Sequence, residues 1–216
     1  MSDIFQEVDE DIRRDKSAEL WKQYGKFVIA GAVIVIALTA GSVGWREYQK
    51  NQAEEAGASF AAAKSLVVAE QNAEAAEAFA AVANNAGGGY AQIARLEEAA
   101  ALVRAKDVDG ALKIYDALSA DSSANDNLRQ LASLHAASQL LDLGDSEAAR
   151  SRLSALTSAD GPWRHSAREL MGLAALADGN AEEAVKTFKA LSEDATAPRG
   201  VRARAGEMLA ALGGAE

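Results

Sequence analysis

The sequence has no Cys, 2 Pro, 2 His and only 6% aromatic residues in 216 positions. Lack of Cys excludes disulfide frameworks, thiolate metal sites and thiol nucleophiles, and is compatible with any redox compartment. The two His, His135 and His165, stand 30 positions apart and offer little to a histidine-based metal site. So few aromatics argue against stacking platforms for bases and against a large β-sandwich core. Cation is scarce as well: 22 Lys and Arg face 32 Asp and Glu, a net charge of −10. Phosphate backbones need clustered cation, so nucleic acid is excluded as a partner. What is abundant is Ala, 51 residues within a hydrophobic content of 49%. The length suits one ordinary domain and a short appendage.

One stretch stands apart from the rest. Phe27 to Trp45 runs 19 residues without a charge, and as a helix spans roughly 28 Å, matching a hydrocarbon core. Tyr24, Trp45 and Tyr48 lie at its ends, where aromatic belts sit. Lys22, Lys26, Arg46 and Lys50 lie just outside, where long cationic side chains snorkel to the interface. The preceding residues are acid-rich and no small-x-small site follows, so a retained signal anchor is expected over a cleaved signal peptide. Arg13, Arg14, Lys16, Lys22 and Lys26 precede the span, against Arg46, Lys50 and Lys64 after it. That bias predicts a cytoplasmic segment over 1–26, a transmembrane helix over 27–45 and an extracytoplasmic domain over 46–216. In a double-membraned bacterium this is a single-pass inner-membrane protein with a periplasmic domain. Ile4, Phe5, Val8 and Ile12 fall at helical spacing, so the cytoplasmic segment is expected to be a short amphipathic helix.

Beyond residue 46 the chain is rich in strong helix formers and shows no strand alternation. Four segments share one design, in which a polar turn leads through acidic residues to an Ala. The Ala falls at positions 76, 111, 149 and 184, with intervals of 35, 38 and 35. Asp107, Asp145 and Asn180 are expected to cap the helices that follow. Small residues stand twelve positions earlier, at Ala99, Ala137 and Gly172, and allow two helices to approach closely. Bulky residues stand 21 positions before the Ala, at Tyr90, Leu128 and Trp163. These registers define helix pairs of about 34 residues, the tetratricopeptide period. In the first pair Lys64 takes the small position, so that pair is expected to be degenerate, led by an extension of the span through Phe60. Arg199 to Leu212 reads as a terminal capping helix. The fold class expected is all-α: one N-terminal transmembrane helix followed by a tetratricopeptide-like α-solenoid of roughly three and a half pairs.

No catalytic constellation is visible, so no catalytic, cofactor-binding or metal-ligating residue is assigned and no enzyme activity is expected. His135 lies on a helix dense with Ala and Leu and is expected to be structural. His165 follows Trp163 and Arg164 at a helix boundary, where capping or surface exposure is expected. Asp107 to Gly110 lacks the third ligand and the closing Glu of a calcium loop. Gly87 to Gly89 has no preceding strand or following Lys-Ser/Thr, so a turn is expected rather than a phosphate cradle. Arg199, Arg202 and Arg204 form a small basic patch expected to be solvated. Solenoids bind along the face made by the first helix of each pair, which brings Gln92, Arg95, Arg129, Ser133 and Arg168 forward as candidates.

Tyr90 to Glu97, Gly161-Pro162-Trp163 with Arg168 to Ala174, and Gly179 to Ala184, set behind a span ending in Gly44-Trp45-Arg46, resemble a known family. It is the ancillary subunit of the bacterial Sec translocon, a membrane-anchored tetratricopeptide-like protein. The resemblance covers nearly the whole chain and implies association with Sec translocon subunits and periplasmic chaperones. From the residues alone, a cell-envelope assembly or division scaffold and a membrane-bound stress-response regulator remain open alternatives.

Overall fold

Strong helix formers separated by short polar turns give nine helices among the described residues. The computed structural model describes the backbone of residues 3–158 and 160–213, and side chains from residue 18 onward except at 28 and 158. The chain divides into two units, Met1–Gln52 and Ala53–Glu216.

The first unit consists of α1, which runs Asp3–Val68 and also supplies the opening helix of the second. The helical spacing expected in the N-terminal segment is part of one helix, continuous from Asp3 into the apolar stretch. No Pro interrupts that stretch, and its scattered Gly residues are too few to break the helix. Within α1 lies the one described helix long and apolar enough to cross a membrane, and none of its apolar window is buried. Ile29, Val33, Ile36 and Leu38 are all more than half exposed.

The second unit is a row of helix pairs. The end of α1 pairs with α2 (Asn72–Asn85), α3 (Gly88–Arg104) with α4 (Val108–Ala120), α5 (Asp126–Asp142) with α6 (Ser146–Ser158), and α7 (Arg164–Ala177) with α8 (Ala181–Glu193). A last helix, α9 (Arg199–Ala211), closes the array. The count is thus four pairs and a cap, rather than three and a half. From α2 onward each helix packs on its sequence neighbours, Phe60 at the end of α1 packs on Phe79 of α2, and α3, α5, α7 and α9 also touch in succession. The first helices of the pairs therefore build one continuous face.

The small positions sit where close approach requires them. Ala111, Ala149 and Ala184 are fully buried, as are Ala99 and Ala137, and Gly172 faces Phe188. Four residues after each buried Ala comes a large core side chain of its pair: Tyr115, Leu153 and Phe188. The same offset in the first pair leads back from the fully buried Phe79 to Ala75, not Ala76. Twelve positions before Ala75 is Ala63, also fully buried, while Lys64 is exposed and binds Glu97 at 3.0 Å. The first pair is therefore regular. The expected register was one residue late because Ala75 and Ala76 are chemically alike.

One turn recurs inside all four pairs. Glu70, Lys106, Gly144 and Gly179 each take positive φ, at 60°, 70°, 84° and 75°. In each, two successive N–H groups donate back to the end of the first helix, as Lys106 does to Val103 and Asp107 to Leu102. The chain then enters the second helix through a capping side chain. Asp107, Asp145 and Asn180 accept from the N–H groups of Gly110, Ala148 and Glu183 at 2.9, 3.0 and 3.1 Å, as their positions predicted. Gln71 holds the corresponding place in the first pair and makes no such bond.

Candidate partner-binding face

The first helices α3, α5 and α7 carry the residues that the sequence placed on a binding surface. The structure assigns most of them internal work. Arg95 pairs with Asp121 at 3.2 Å, and Gln92 accepts from the Asn125 N–H at 3.0 Å. Arg129 donates from Nε to the Ser119 carbonyl at 3.1 Å. Arg168 donates to the Thr157 carbonyl at 3.3 Å and lies 3.6 Å from Asp194. These bonds join a first helix to the end of a second helix or to the turn after it. Their partners are 10 to 33 positions away, too far for periodicity to reveal. Ser133 is half-buried on α5.

The turns that receive these side chains form a motif the sequence reading passed over. Asp121 accepts from the backbone N–H and hydroxyl of Ser123, at 3.0 and 2.6 Å. Asp194 does the same with Thr196, at 2.8 and 2.6 Å. The bonds to Ser123 and Thr196 are the main reason both carboxyls lie below the usual Asp range. Each turn buries an Ala, Ala124 or Ala197, against the neighbouring helices. The shared signal, an Asp two residues before Ser or Thr and three before Ala, was present at 121–124 and 194–197.

Further bonds tie one pair to the next. Arg152 makes a bidentate contact with Asp116, at 2.9 and 3.0 Å. Arg150 spans Asp178 and Glu183, at 2.9 and 3.1 Å, and Ser146 also donates to Asp178. Trp163 donates from its indole to the Asn127 carbonyl at 2.9 Å. In the basic patch Arg199 and Arg204 are exposed, and Arg204 forks onto Glu169 at 2.6 and 2.7 Å.

The two histidines have opposite surroundings. His135 is exposed on one side and stacks on Tyr115, with centroids 5.6 Å apart. Burial pushes the Tyr115 phenol up to about 12 and lowers the imidazole below its ordinary value. His165 is only 5% exposed, so the expected surface position is overturned. Its Nε2 accepts from Arg164 at 3.1 Å, and its Nδ1 has no hydrogen-bond partner and lies 3.5 Å from Asp194. Burial first, then Arg164, hold this imidazole below its usual value, with Asp194 acting the other way. Glycines 88 and 89 open α3 rather than forming a separate turn. Among the described residues, no group of three His, Asp or Glu could hold a metal ion.

Most ionic side chains singled out on the first helices are thus engaged, while Arg104 and Asp142 stay exposed at the ends of α3 and α5. Among the described residues of the second unit, the exposed large hydrophobics are Val68, Tyr90, Ile93 and Leu143. All four lie on a first helix or at its C-terminal end. This arrangement of paired helices with a shared Ala register matches a tetratricopeptide repeat-like domain over residues 18–204. The chain belongs to that family. Two solved structures resemble this tetratricopeptide-like protein: nearly identical tetratricopeptide-like repeats assigned to a kinesin light chain of Podosopora anserina, and a single-substitution variant of them. Both are 17% identical, with TM-scores of 0.57 and 0.58, and cover 73% of this chain and 84–85% of their own. That likeness concerns the fold. No curated protein matches the sequence. Repeats of this class are typically non-enzymatic scaffolds, and the fold implies protein partners.

Proposed function

We propose that the protein is a membrane-anchored adaptor whose tetratricopeptide-like unit binds other proteins, serving as an accessory subunit of the Sec translocon that links it to periplasmic chaperones. The observation that carries the anchoring is the uncharged run Phe27 to Trp45, helical throughout and without any protein surface covering it. In water, such a helix would leave many large apolar side chains solvated at roughly 25 cal/mol per Å². In a bilayer they meet solvent of their own kind. The excess of Lys and Arg before the span supports a cytoplasmic N-terminus and a periplasmic repeat unit. Anchoring raises the effective concentration of the repeats around membrane partners.

Support for translocon association comes from the resemblance of Tyr90 to Glu97, Gly161 to Ala174 and Gly179 to Ala184, together with the repeat architecture behind a single span. Mild-detergent purification of the tagged full chain, followed by identification of co-purifying proteins, tests it. Translocon subunits and chaperones are expected. Recovery of division proteins without any translocon subunit would instead support an envelope scaffold. A C-terminal alkaline phosphatase fusion is expected to be active, and an inactive but expressed fusion overturns the orientation.

A further inference from the structure

The sequence contains three Asp–Gly dipeptides, at 109–110, 160–161 and 178–179. An Asp followed by Gly cyclises readily, because glycine has no Cβ to shield its nitrogen and leaves the backbone able to rotate. The Gly nitrogen attacks the carboxyl carbon of the Asp side chain, water leaves, and a five-membered succinimide forms. Water then reopens the ring at either carbonyl. One opening restores Asp; the other routes the main chain through the side chain as isoaspartate. The reaction needs a carboxyl that can move, a nitrogen not held in a hydrogen bond, and a backbone not fixed in a helix.

Two of the three dipeptides are denied these conditions. Asp109 lies in the first turn of α4, and the Gly110 N–H donates to the Asp107 carboxylate at 2.9 Å. Asp178 follows the last residue of α7, and its carboxylate accepts from Ser146 and, at 2.9 Å, from Arg150. The next nitrogen, that of Gly179, donates to the Leu176 carbonyl at 2.9 Å. Asp160 is different. It lies between α6 and α7, outside any helix, and its side chain is fully exposed. Arg164 approaches it to 3.5 Å, a contact that water and salt screen. Among the described residues, the Gly161 N–H has no hydrogen-bond partner.

We propose that Asp160–Gly161 is a site of spontaneous isoaspartate formation in the folded protein, and that its product is a substrate for a repair methyltransferase. That enzyme class moves a methyl group from the sulfonium of S-adenosylmethionine to an oxygen of the freed α-carboxylate. The ester then loses methanol as the succinimide closes again, which gives the chain another chance to reopen as Asp. Isoaspartate adds a methylene to the main chain just ahead of α7. There Trp163 donates to the Asn127 carbonyl and Arg164 to Thr196, so the lengthened chain disturbs how α7 is seated. Neither a bilayer nor a protein partner takes part, so the site stands whatever the repeats bind.

The full chain in mild detergent is aged in neutral buffer below its unfolding temperature, beside a sample aged in urea. Purified isoaspartyl methyltransferase with radiolabelled S-adenosylmethionine reports the product, and peptide mapping with electron-transfer fragmentation places it. In the folded chain, isoaspartate at 160 should exceed that at 109 or 178 about tenfold or more, the rate ratio for about 1.4 kcal/mol of local opening at the protected sites. In urea that difference should vanish. Asp160→Glu would need a six-membered ring, so it should lose the labelling at this position while keeping a carboxylate near Arg164. Alanine at 161 is a poorer control, because its Cβ would lie 2.7 Å from the Gln130 Oε1. Equal isoaspartate at the three positions of the folded chain, or accumulation at 160 only in urea, overturns the site. A preference for 160 that persists in urea overturns its structural cause. An isomerised 160 that the methyltransferase leaves unlabelled overturns the repair step.

Discussion

Phe188 stands so close to Gly172 that a methyl group on the glycine would lie 2.7 Å from the phenyl Cζ. The glycine is on α7 and the ring on α8, so this contact sets how near the two helices come. Replacing a mid-helix Gly by Ala normally gains about 1 kcal/mol in helix propensity. Overpacking a core costs about 1–3 kcal/mol, and Phe188 is fully buried. Gly172→Ala is therefore expected to destabilise the repeats by about 1 kcal/mol, lowering Tm by a few degrees. Adding Phe188→Leu should cost less in the Gly172→Ala background than in the parent. Additive losses in a thermal double-mutant cycle would show that the two positions do not press on one another.

The repeated turn contains two residues that pay for a glycine's conformation. Lys106 has φ 70° where Gly144 and Gly179 stand in later pairs. The left-handed region costs a non-Gly residue about 1–2 kcal/mol, and the extra freedom of Gly in the unfolded chain returns about 0.5–1 of that. Lys106→Gly is expected to stabilise the unit by about 0.5–1 kcal/mol. As a control, Lys113→Gly in the exposed middle of α4 should destabilise by about 1 kcal/mol. Denaturant unfolding of the two variants distinguishes them by sign.

Local signals made much of this unit legible. Asp145 and Asn180 stand one residue after a Gly and four before an Ala, and turn, cap and close contact follow from that order. The first pair was misread because neighbouring alanines at 75 and 76 carry no information about which of them faces the preceding helix. His165 was misplaced for a different reason. Its surroundings include Asp194, which arrives 29 positions later in sequence, and no periodicity announces that meeting. Arg95, Arg129 and Arg168 looked available because their carbonyl and carboxylate partners are likewise distant. On α3, α5 and α7 the polar side chains that looked free are tied to neighbouring turns, and Tyr90, Ile93 and Leu143 are the large apolar side chains left exposed there.

Capping side chains allow a paired test within one molecule. Asp145 accepts from the Ala148 N–H at 3.0 Å, whereas Gln71 makes no cap bond at the start of α2. Removing a cap exposes a helix N–H and costs about 1 kcal/mol. Asp145→Ala should therefore lose about 1 kcal/mol and Asp145→Asn much less, because Asn caps as well as Asp. Gln71→Asp should gain about 0.5–1 kcal/mol, helped by the positive end of the helix. If all three leave the urea midpoint unchanged, tertiary packing alone holds these helix ends.

Acid should loosen the α7 end of the repeats before it affects most carboxylates. The His165 imidazole sits below its ordinary pKa because it is buried and faced by Arg164 and Arg168, with Asp194 only partly compensating. The unfolded chain thus binds a proton that the folded chain refuses. Stability from this neutral imidazole is present above the unfolded His value, about 6.5, and is lost as pH falls below it towards the lower folded value. The depressed carboxyls of Asp121, Asp178 and Asp194 act in a separate, more acidic window, below the ordinary Asp value. His135 shifts in the same direction as His165, so it needs its own variant. His165→Gln should flatten the fall in Tm between about pH 7 and 5, and His135→Gln should do so separately. An unchanged slope in His165→Gln would mean that the folded unit admits the proton at no cost, with Asp194 balancing both arginines and the burial.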